Sequence, residues 1–193
     1  NFNTYHNLST LYIQTEQPGK AKKSLEKLLQ IDSENYQASF MLGTIFLSLK
    51  EYYPAIANFL YTLRIKEDFH NAKIGLAEGY YKLGRYKMAL RELEFLAKDL
   101  PEMVTPYIKS SLILIEMGHN IDAIPLLEKA ISIDNSNLEV LEILAILYEE
   151  IGNKDRAEEL YQEILLLDSE NKSAAEGIER LEKLASKLNE NIS

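Results

Sequence analysis

The sequence predicts an all-α solenoid made of five antiparallel helix pairs and one further helix at the C-terminal end. Its main evidence is a period: alanine recurs every 34 residues. A fixed period of this length indicates one supersecondary unit that is copied and stacked. Small and large residues also keep fixed places within the period. The alanines in register are Ala21, Ala55, Ala89, Ala123 and Ala157.

We number the repeat so that this alanine is position 20. The repeats are then 2–35, 36–69, 70–103, 104–137 and 138–171. Position 8 is always small, as Ser9, Gly43, Ala77, Ser111 and Ala145. Position 11 is always large, as Tyr12, Phe46, Tyr80, Leu114 and Tyr148. Helix axes approach closely only where the crossing side chains are short, so position 8 is predicted to face position 20.

Each repeat is predicted to form two helices joined by a turn. Positions 4, 7, 8 and 11 are spaced as on one face of a helix, and positions 20, 24, 27 and 28 define a second such face. Turn formers lie between them, including Gly84, Gly118 and Gly152. The first two repeats have Glu16 and Lys50 at this place. In addition, asparagine and aspartate residues just before the next repeat are helix-start candidates.

The segment 172–193 is predicted to be a single amphipathic helix that caps the last repeat, because the end of a stacked array exposes an apolar face. Ser173 and Glu176 have the spacing of a capping box that begins a helix. The apolar stripe consists of Ala174, Ile178, Leu181, Ala185 and Leu188. The first repeat has no equivalent cap, which leaves open that further repeats or another domain precede Asn1.

Composition excludes several classes of function. The chain has no cysteine, so disulfides and thiolate sites are excluded. The three histidines share no spacing, and no phosphate-binding or dinucleotide motif occurs, so we predict no metal, no cofactor and no catalysis. The net charge is −9, and residues 138–193 hold 6 Lys and Arg against 14 Asp and Glu, a net −8. Nucleic acid is therefore not an expected partner.

No apolar run reaches the roughly 20 residues that a bilayer-spanning helix needs, so no membrane span is predicted. The compartment is not determined by these observations. A cytoplasmic location is slightly favoured, and a periplasmic or envelope-anchored one is the alternative if an N-terminal signal has been removed, since the sequence begins with Asn1 rather than Met.

The repeat resembles the tetratricopeptide repeat family. Residues 76–89 read LAEGYYKLGRYKMA, which matches the family pattern of Leu at position 7, a small residue at 8, Tyr at 11, Gly at 15 and Ala at 20. The resemblance extends over residues 2–171. It implies a right-handed superhelix and a non-catalytic scaffold for protein–protein interaction.

The resemblance also implies a concave groove, lined by positions 2, 5, 6, 9, 12 and 13 of the first helices, that binds a peptide or helix of a partner. Gly75 would let such a ligand approach the backbone. The lysine- and asparagine-rich clamp of chaperone-binding members is absent. The candidate groove residues are Phe40, Met41, Thr44, Leu47, Ile74, Glu78, Tyr81, Lys82, Ile108, Lys109, Leu112, Ile115, Glu142, Ile146 and Glu149.

The character of this groove changes from apolar in repeats two to four to acidic in repeat five. We therefore expect a partner with an apolar face and a basic stretch that meets the glutamates of repeat five. Three alternatives remain open. The apolar residues could pack against neighbouring repeats, the chain could self-associate as a homo-oligomer, or it could be the regulatory arm of a larger enzyme or an envelope-assembly complex. The glutamates of the acidic end are Glu139, Glu142, Glu149 and Glu150.

Overall fold

The computed structural model describes residues 2–190, with the side chains of residue 5 and residues 7–184. Within these residues the chain forms eleven α-helices and no strand, which confirms the predicted all-α class. The helices are α1 (Phe2–Gln14), α2 (Pro18–Ile31), α3 (Tyr36–Ser48), α4 (Tyr52–Ile65), α5 (His70–Lys82), α6 (Tyr86–Asp99), α7 (Val104–Glu116), α8 (Asn120–Ile133), α9 (Leu138–Glu150), α10 (Lys154–Leu167) and α11 (Lys172–Glu190).

The helices belong to two compact units, residues 1–99 and residues 100–193, which we name the N-terminal half and the C-terminal half. In the N-terminal half, α1 to α6 form three helix pairs, and each helix packs against the next. In the C-terminal half, α7 to α10 form two pairs, and α11 packs against α10. We refer to α1, α3, α5, α7 and α9 as the first helices of their pairs.

Short side chains lie where the two helices of each pair meet. The alanine at position 20 is 0% exposed in all five repeats. The residue at position 8 is also buried in every repeat, from Ser9 to Ala145. A bulky residue at either place would separate the helix axes, so the burial of both explains why the period is kept in these residues.

The turn between the helices has the same backbone in all five repeats. The residue at position 15 has a positive φ, from 54° at Glu16 to 81° at Gly152. The amide of the next residue donates to the carbonyl of position 11, at 2.8 Å from Gln17 to Tyr12 and at 2.9 Å in the fifth repeat. This is the hydrogen bond of a Schellman motif, which ends a helix with a left-handed residue. Glycine adopts that conformation without a steric penalty. Lys50, whose φ is 61°, adopts the same conformation at a steric cost because it has a Cβ.

We predict that Lys50→Gly will raise the free energy of unfolding by about 1 kcal/mol, because a residue with a Cβ pays roughly this amount in the left-handed region. Gly84→Ala is the matched reverse change, since nothing lies within 4 Å of a Cβ added there. It should lower the free energy of unfolding by a similar amount. Urea denaturation checks both values, and a destabilised Lys50→Gly variant would contradict the explanation.

Asparagine caps several of the helices, as the sequence indicates. The Oδ1 atom of Asn35 accepts a hydrogen bond from the Ala38 amide at 2.8 Å, and Asn137 accepts from Val140 at 3.2 Å. The predicted capping box of α11 is wrong, because α11 begins at Lys172 and its first turn is capped instead by Asn171, at 3.0 Å from the Ala174 amide. Asn171 stands at the repeat position of Asn35 and Asn137, so the periodic cap prevails over the local Ser–Glu spacing.

Helix α11 covers the end of the C-terminal half with its apolar face. Ala174, Gly177 and Leu181 are buried, and Ile178 packs against the core of this half. The predicted stripe residues Ala185 and Leu188 lie outside the described side chains. α11 therefore takes the place that the first helix of a sixth pair would occupy, next to α10.

Candidate functional site

The candidate site is the surface of the first helices, which we name the first-helix wall and describe separately for each half. All predicted groove residues lie on these helices, and all are half-buried or exposed. The wall of the N-terminal half comes from α1, α3 and α5, and that of the C-terminal half comes from α7 and α9.

In the N-terminal half, Phe40 is partly used for packing within the fold. Its ring centroid lies 5.0 Å from that of Phe69 and 5.8 Å from that of Phe59. Met41, Leu47 and Ile74 are half-buried, so each keeps part of its apolar surface open to solvent. Phe40 therefore packs against the Phe59 and Phe69 rings with part of its side chain and contributes the rest to this apolar surface.

The other end of this wall carries balanced charges around an aromatic ring. The Lys82 ammonium lies 3.5 Å from the Glu78 carboxylate and 4.9 Å from the Tyr81 ring centroid. The Tyr81 ring lies 6.0 Å from that of Tyr86. Ring, ammonium and carboxylate thus form one surface cluster, in which the charge of Lys82 is already paired.

The expectation for Gly75 is wrong. A Cβ at this residue would lie 2.6 Å from the Cζ atom of the Phe59 ring, and a Cβ at Gly43 would lie 2.8 Å from Cε1 of the same ring. The space beside Gly75 is therefore filled by a core side chain from α4. The glycine serves the packing of Phe59 and does not open the backbone to a ligand.

In the C-terminal half, the predicted apolar residues divide into two groups. Ile108 and Ile115 are half-buried and pack against the core of this half. Leu112 and Ile146 are 40% and 41% exposed. Ile108 and Ile115 therefore match the alternative of packing within the repeats, whereas Leu112 and Ile146 present apolar surface to solvent. Lys109 is half-buried among them.

The glutamates of repeat five are largely held by the protein's own donors. Arg180 of α11 donates to Glu149 from Nε at 3.1 Å and from Nη2 at 2.9 Å, and the Tyr161 hydroxyl donates to Glu149 at 2.8 Å. Asn171 donates to Glu142 at 2.7 Å, and Asn120 donates to Glu150 at 2.9 Å. Three of the four predicted carboxylates thus already accept hydrogen bonds within this half.

Two pKa shifts follow from the cluster at Glu149. The hydrogen bond from Arg180 lowers the pKa of the Glu149 carboxyl, so it is charged at neutral pH. Burial, together with the bond to Glu149, raises the pKa of the Tyr161 hydroxyl to about 12. The cluster therefore joins α9, α10 and α11 with a buried tyrosine at its centre and an arginine at its edge.

The wall of the N-terminal half contains a cleft that the sequence did not predict as a unit, which we name the turn cleft. Its volume is about 440 Å³, and it lies at the C-terminal ends of α1 and α3. Thr44, one of the predicted groove residues, lines it, and Ile13 and Ser48 stand at predicted groove positions of their repeats. The lining residues are Ile13, Glu16, Pro18, Thr44, Ile45, Ser48 and Leu49.

The described residues contain neither a membrane-spanning helix nor a metal-binding cluster. Within residues 2–190, none of the helices has both the length and the apolar character of a bilayer-crossing segment. The same part of the chain contains no group of three or more His, Asp or Glu side chains placed to hold a metal ion. The first-helix wall presents apolar side chains next to polar ones.

Stacked helix pairs with short residues at each crossing define a helical-repeat protein. Two family models, both described as tetratricopeptide repeat, match residues 2–35 and residues 114–181, together more than half of the chain. The chain belongs to the tetratricopeptide repeat family. Proteins with this fold serve in general as scaffolds for protein–protein interaction and are typically non-catalytic.

Individual proteins agree with this assignment. A TPR repeat-containing protein of Methanocaldococcus jannaschii is 33% identical over 89 residues, which are 45% of this chain and 27% of that protein. This chain therefore matches only about a quarter of that relative's length. MamA from Desulfovibrio magneticus RS-1 has a similar structure, with a TM-score of 0.78 at 18% identity, over 89% of this chain and 97% of MamA.

YrrB is a second structural neighbour, with a TM-score of 0.70 at 18% identity, over 91% of this chain and 90% of YrrB. It is described as a TPR protein with an unusual peptide-binding site. At these identities the likeness of MamA and YrrB to this chain concerns the fold alone.

Proposed function

We propose that the first-helix wall binds a peptide or an amphipathic helix of a partner protein. The observation that carries the proposal is apolar surface on helices whose remaining faces are buried. Met41 and Ile74 keep part of their side chains open in the N-terminal half, and Leu112 and Ile146 do so in the C-terminal half. Exposed apolar patches with polar rims usually mark protein contact sites.

Side-chain types on the wall suit this role. Methionine and aromatic residues adapt to the shape of a partner with little loss of contact area, as Met41 and Tyr81 would do here. The YrrB structure supports the proposal by analogy, since its description assigns a peptide-binding site to a protein of the same fold. The chain's net charge of −9 favours a partner that is not itself strongly acidic.

The expected basic stretch of the partner finds little support in repeat five. Glu142, Glu149 and Glu150 accept hydrogen bonds from Asn171, Arg180 and Asn120 respectively. A cationic segment would have to displace those donors, which costs part of the energy gained. We therefore assign the apolar part of the partner to the wall and do not assign its cationic part to this end.

We predict that Leu112→Glu will reduce partner capture by at least tenfold, because it would place a charge in an apolar contact. The protein carrying a photo-crosslinking amino acid at Ile146, which is 41% exposed on the same wall as Leu112, is used for capture, with and without Leu112→Glu. Crosslinked products are identified by mass spectrometry and their binding is then measured with purified components.

Leu60→Glu is the matched control, because Leu60 is 47% exposed but lies on α4, a second helix. It introduces the same charge on a similarly exposed leucine outside the wall. Equal capture by the Leu112→Glu and Leu60→Glu variants would count against the proposed function. Circular dichroism spectra that match the unmodified protein show that both variants are folded.

A further inference from the structure

We propose that the turn cleft of the N-terminal half is a subsite for a lysine or arginine side chain of the bound polypeptide, next to an apolar residue. The inference rests on the proposed function, since the cleft is part of the first-helix wall. It specifies which type of side chain the partner presents and where on the protein that side chain binds. Three properties of the cleft lead to it: an apolar floor, a rim of hydrogen-bond acceptors, and the negative charge of Glu16 at its edge.

The floor of the turn cleft is apolar. Ile13 and Leu49 are exposed large aliphatic residues on its two sides, and Pro18 and Ile45 complete the surface. A volume of about 440 Å³ exceeds that of one side chain, so it admits an apolar residue together with its neighbour. The methylene stem of lysine or arginine also lies favourably on such a surface while its charged head reaches the polar rim.

The hydroxyls of the rim have their protons in hydrogen bonds to the backbone, which leaves their oxygens as acceptors. The Thr44 hydroxyl donates its only proton to the carbonyl of Phe40 at 3.1 Å, and the Ser48 hydroxyl donates to the carbonyl of Ile45 at 2.8 Å. With its proton directed to the backbone in this way, each hydroxyl oxygen is placed to accept from a ligand. A guanidinium or ammonium group consists only of donors, so it fits this rim as it stands, whereas a carboxylate would need a hydroxyl to turn its proton away from the backbone carbonyl.

Glu16 is the only charged residue among those that line the cleft. It stands at the left-handed turn position with φ of 54°, where repeats three to five have glycine. A residue with a side chain is strained at this φ, and strained backbone is often found where the side chain has a role in binding. Here the replacement of glycine by glutamate places a carboxylate at the edge of an apolar cleft.

The neighbouring lysines have other contacts. The Lys22 ammonium lies 3.6 Å from the Glu51 carboxylate and 4.3 Å from the Phe46 ring centroid. Lys20 lies 5.6 Å from the Tyr12 ring centroid. No ion pair of Glu16 occurs among the described residues, in contrast with Glu149, which Arg180 neutralises. Charge complementarity therefore places the cationic residue of the partner at Glu16, in the first repeat, rather than in repeat five.

The inference is tested by titrating the full ¹⁵N-labelled chain with two capped peptides, acetyl-Gly-Leu-Arg-Gly-amide and the same peptide with citrulline, the neutral isostere of arginine. Amide signals report where each peptide binds and how tightly. The arginine peptide is expected to shift the signals of Thr44, Ser48 and Leu49. It should bind about fivefold more tightly than the citrulline peptide, as a single exposed charge-assisted hydrogen bond allows.

Glu16→Gln should reduce the affinity for the arginine peptide to that of the citrulline peptide and leave the citrulline peptide unaffected. Glu26→Gln is the matched control, since Glu26 is an exposed glutamate on α2 that does not line the cleft. Equal affinities of the two peptides, shifts confined to other residues, or no shifts at all would overturn the inference. The spectra themselves show that each variant is folded.

The two proposals can fail separately. If partner capture depends on Leu112 while arginine and citrulline peptides bind equally, the first-helix wall binds its partner but the turn cleft does not select a cation. If the arginine peptide depends on Glu16 while Leu112→Glu and Leu60→Glu capture alike, the turn cleft binds a cation and the apolar wall of the C-terminal half is not the contact site.

Discussion

Phe59→Ala is expected to lower the free energy of unfolding of the N-terminal half by about 3–5 kcal/mol. The Phe59 side chain is 1% exposed and fills the space beside Gly43 and Gly75, with its ring 5.8 Å from that of Phe40. Its removal leaves a cavity that two glycines cannot fill. Urea denaturation followed by circular dichroism measures the change, and a loss below about 1 kcal/mol would show that the surroundings collapse around the site.

The close approach of Phe59 to Gly75 predicts a coupled effect. Gly75→Ala should cost about 1–3 kcal/mol by overpacking, less any gain in helix propensity, and Phe59→Leu in the same chain should recover part of that loss. Gly19→Ala is the control, because it is also helical and nothing lies within 4 Å of its added Cβ. Additive effects of the Gly75 and Phe59 substitutions would contradict the assigned contact.

Tyr161→Ala is expected to have an effect of similar size in the C-terminal half, about 3–5 kcal/mol, because the side chain is completely buried against Gly177. Tyr161→Phe keeps the ring and removes only the hydroxyl that donates to Glu149. It should cost about 1 kcal/mol at neutral pH, the usual value for one hydrogen bond.

The same hydroxyl should make stability depend on alkaline pH. Its pKa is raised to about 12 in the folded protein from an ordinary value of 10.0. The folded state therefore keeps the proton longer than the unfolded state, so the contribution is fully present below pH 10 and is lost as pH rises towards 12. Over that interval about 2–3 kcal/mol should be lost.

Denaturation of the unmodified protein and of Tyr161→Phe, measured from pH 8 to the highest pH at which both remain folded, isolates this contribution. Tyr80 and Tyr148 also have raised pKa values, but they are present in both proteins. The stability difference between the two proteins should shrink and then change sign as pH rises. A constant difference across the range would contradict the assignment to Tyr161.

Periodicity predicted the helices because it reports directly on packing. A residue that is buried where two helices cross in every copy of a unit, such as Ala89, must be small in every copy, and this constraint is visible in one sequence. The asparagine at position 34 recurs less strictly, before α3, α9 and α11, and its side chain caps the next helix in each case. At α11 the local Ser–Glu spacing predicts the wrong cap, because Asn171 at the repeat position binds the first turn.

The details of the candidate site could not be read from the repeat. Gly75 stands at a groove position, and only the Phe59 ring from the preceding helix shows that its space is occupied. Glu149 is acidic in the sequence, and only the position of α11 shows that Arg180 pairs with it. Glu16 was visible as a departure from glycine, but its place beside Ile13 and Thr44 depends on how α1 and α3 pack in three dimensions.

The fit between Phe59 and Gly75 limits how the repeats can be recombined in protein engineering. The second case, Tyr161 with Gly177, has the same sequence separation of 16 residues. Where leucine precedes by this distance, the later residue is larger, as in Leu25 with Met41 and Leu127 with Ile143. The repeats of this chain are therefore not freely interchangeable. A shuffled or duplicated array should assemble only at junctions that keep an aromatic residue paired with a glycine, or a leucine paired with a residue larger than glycine.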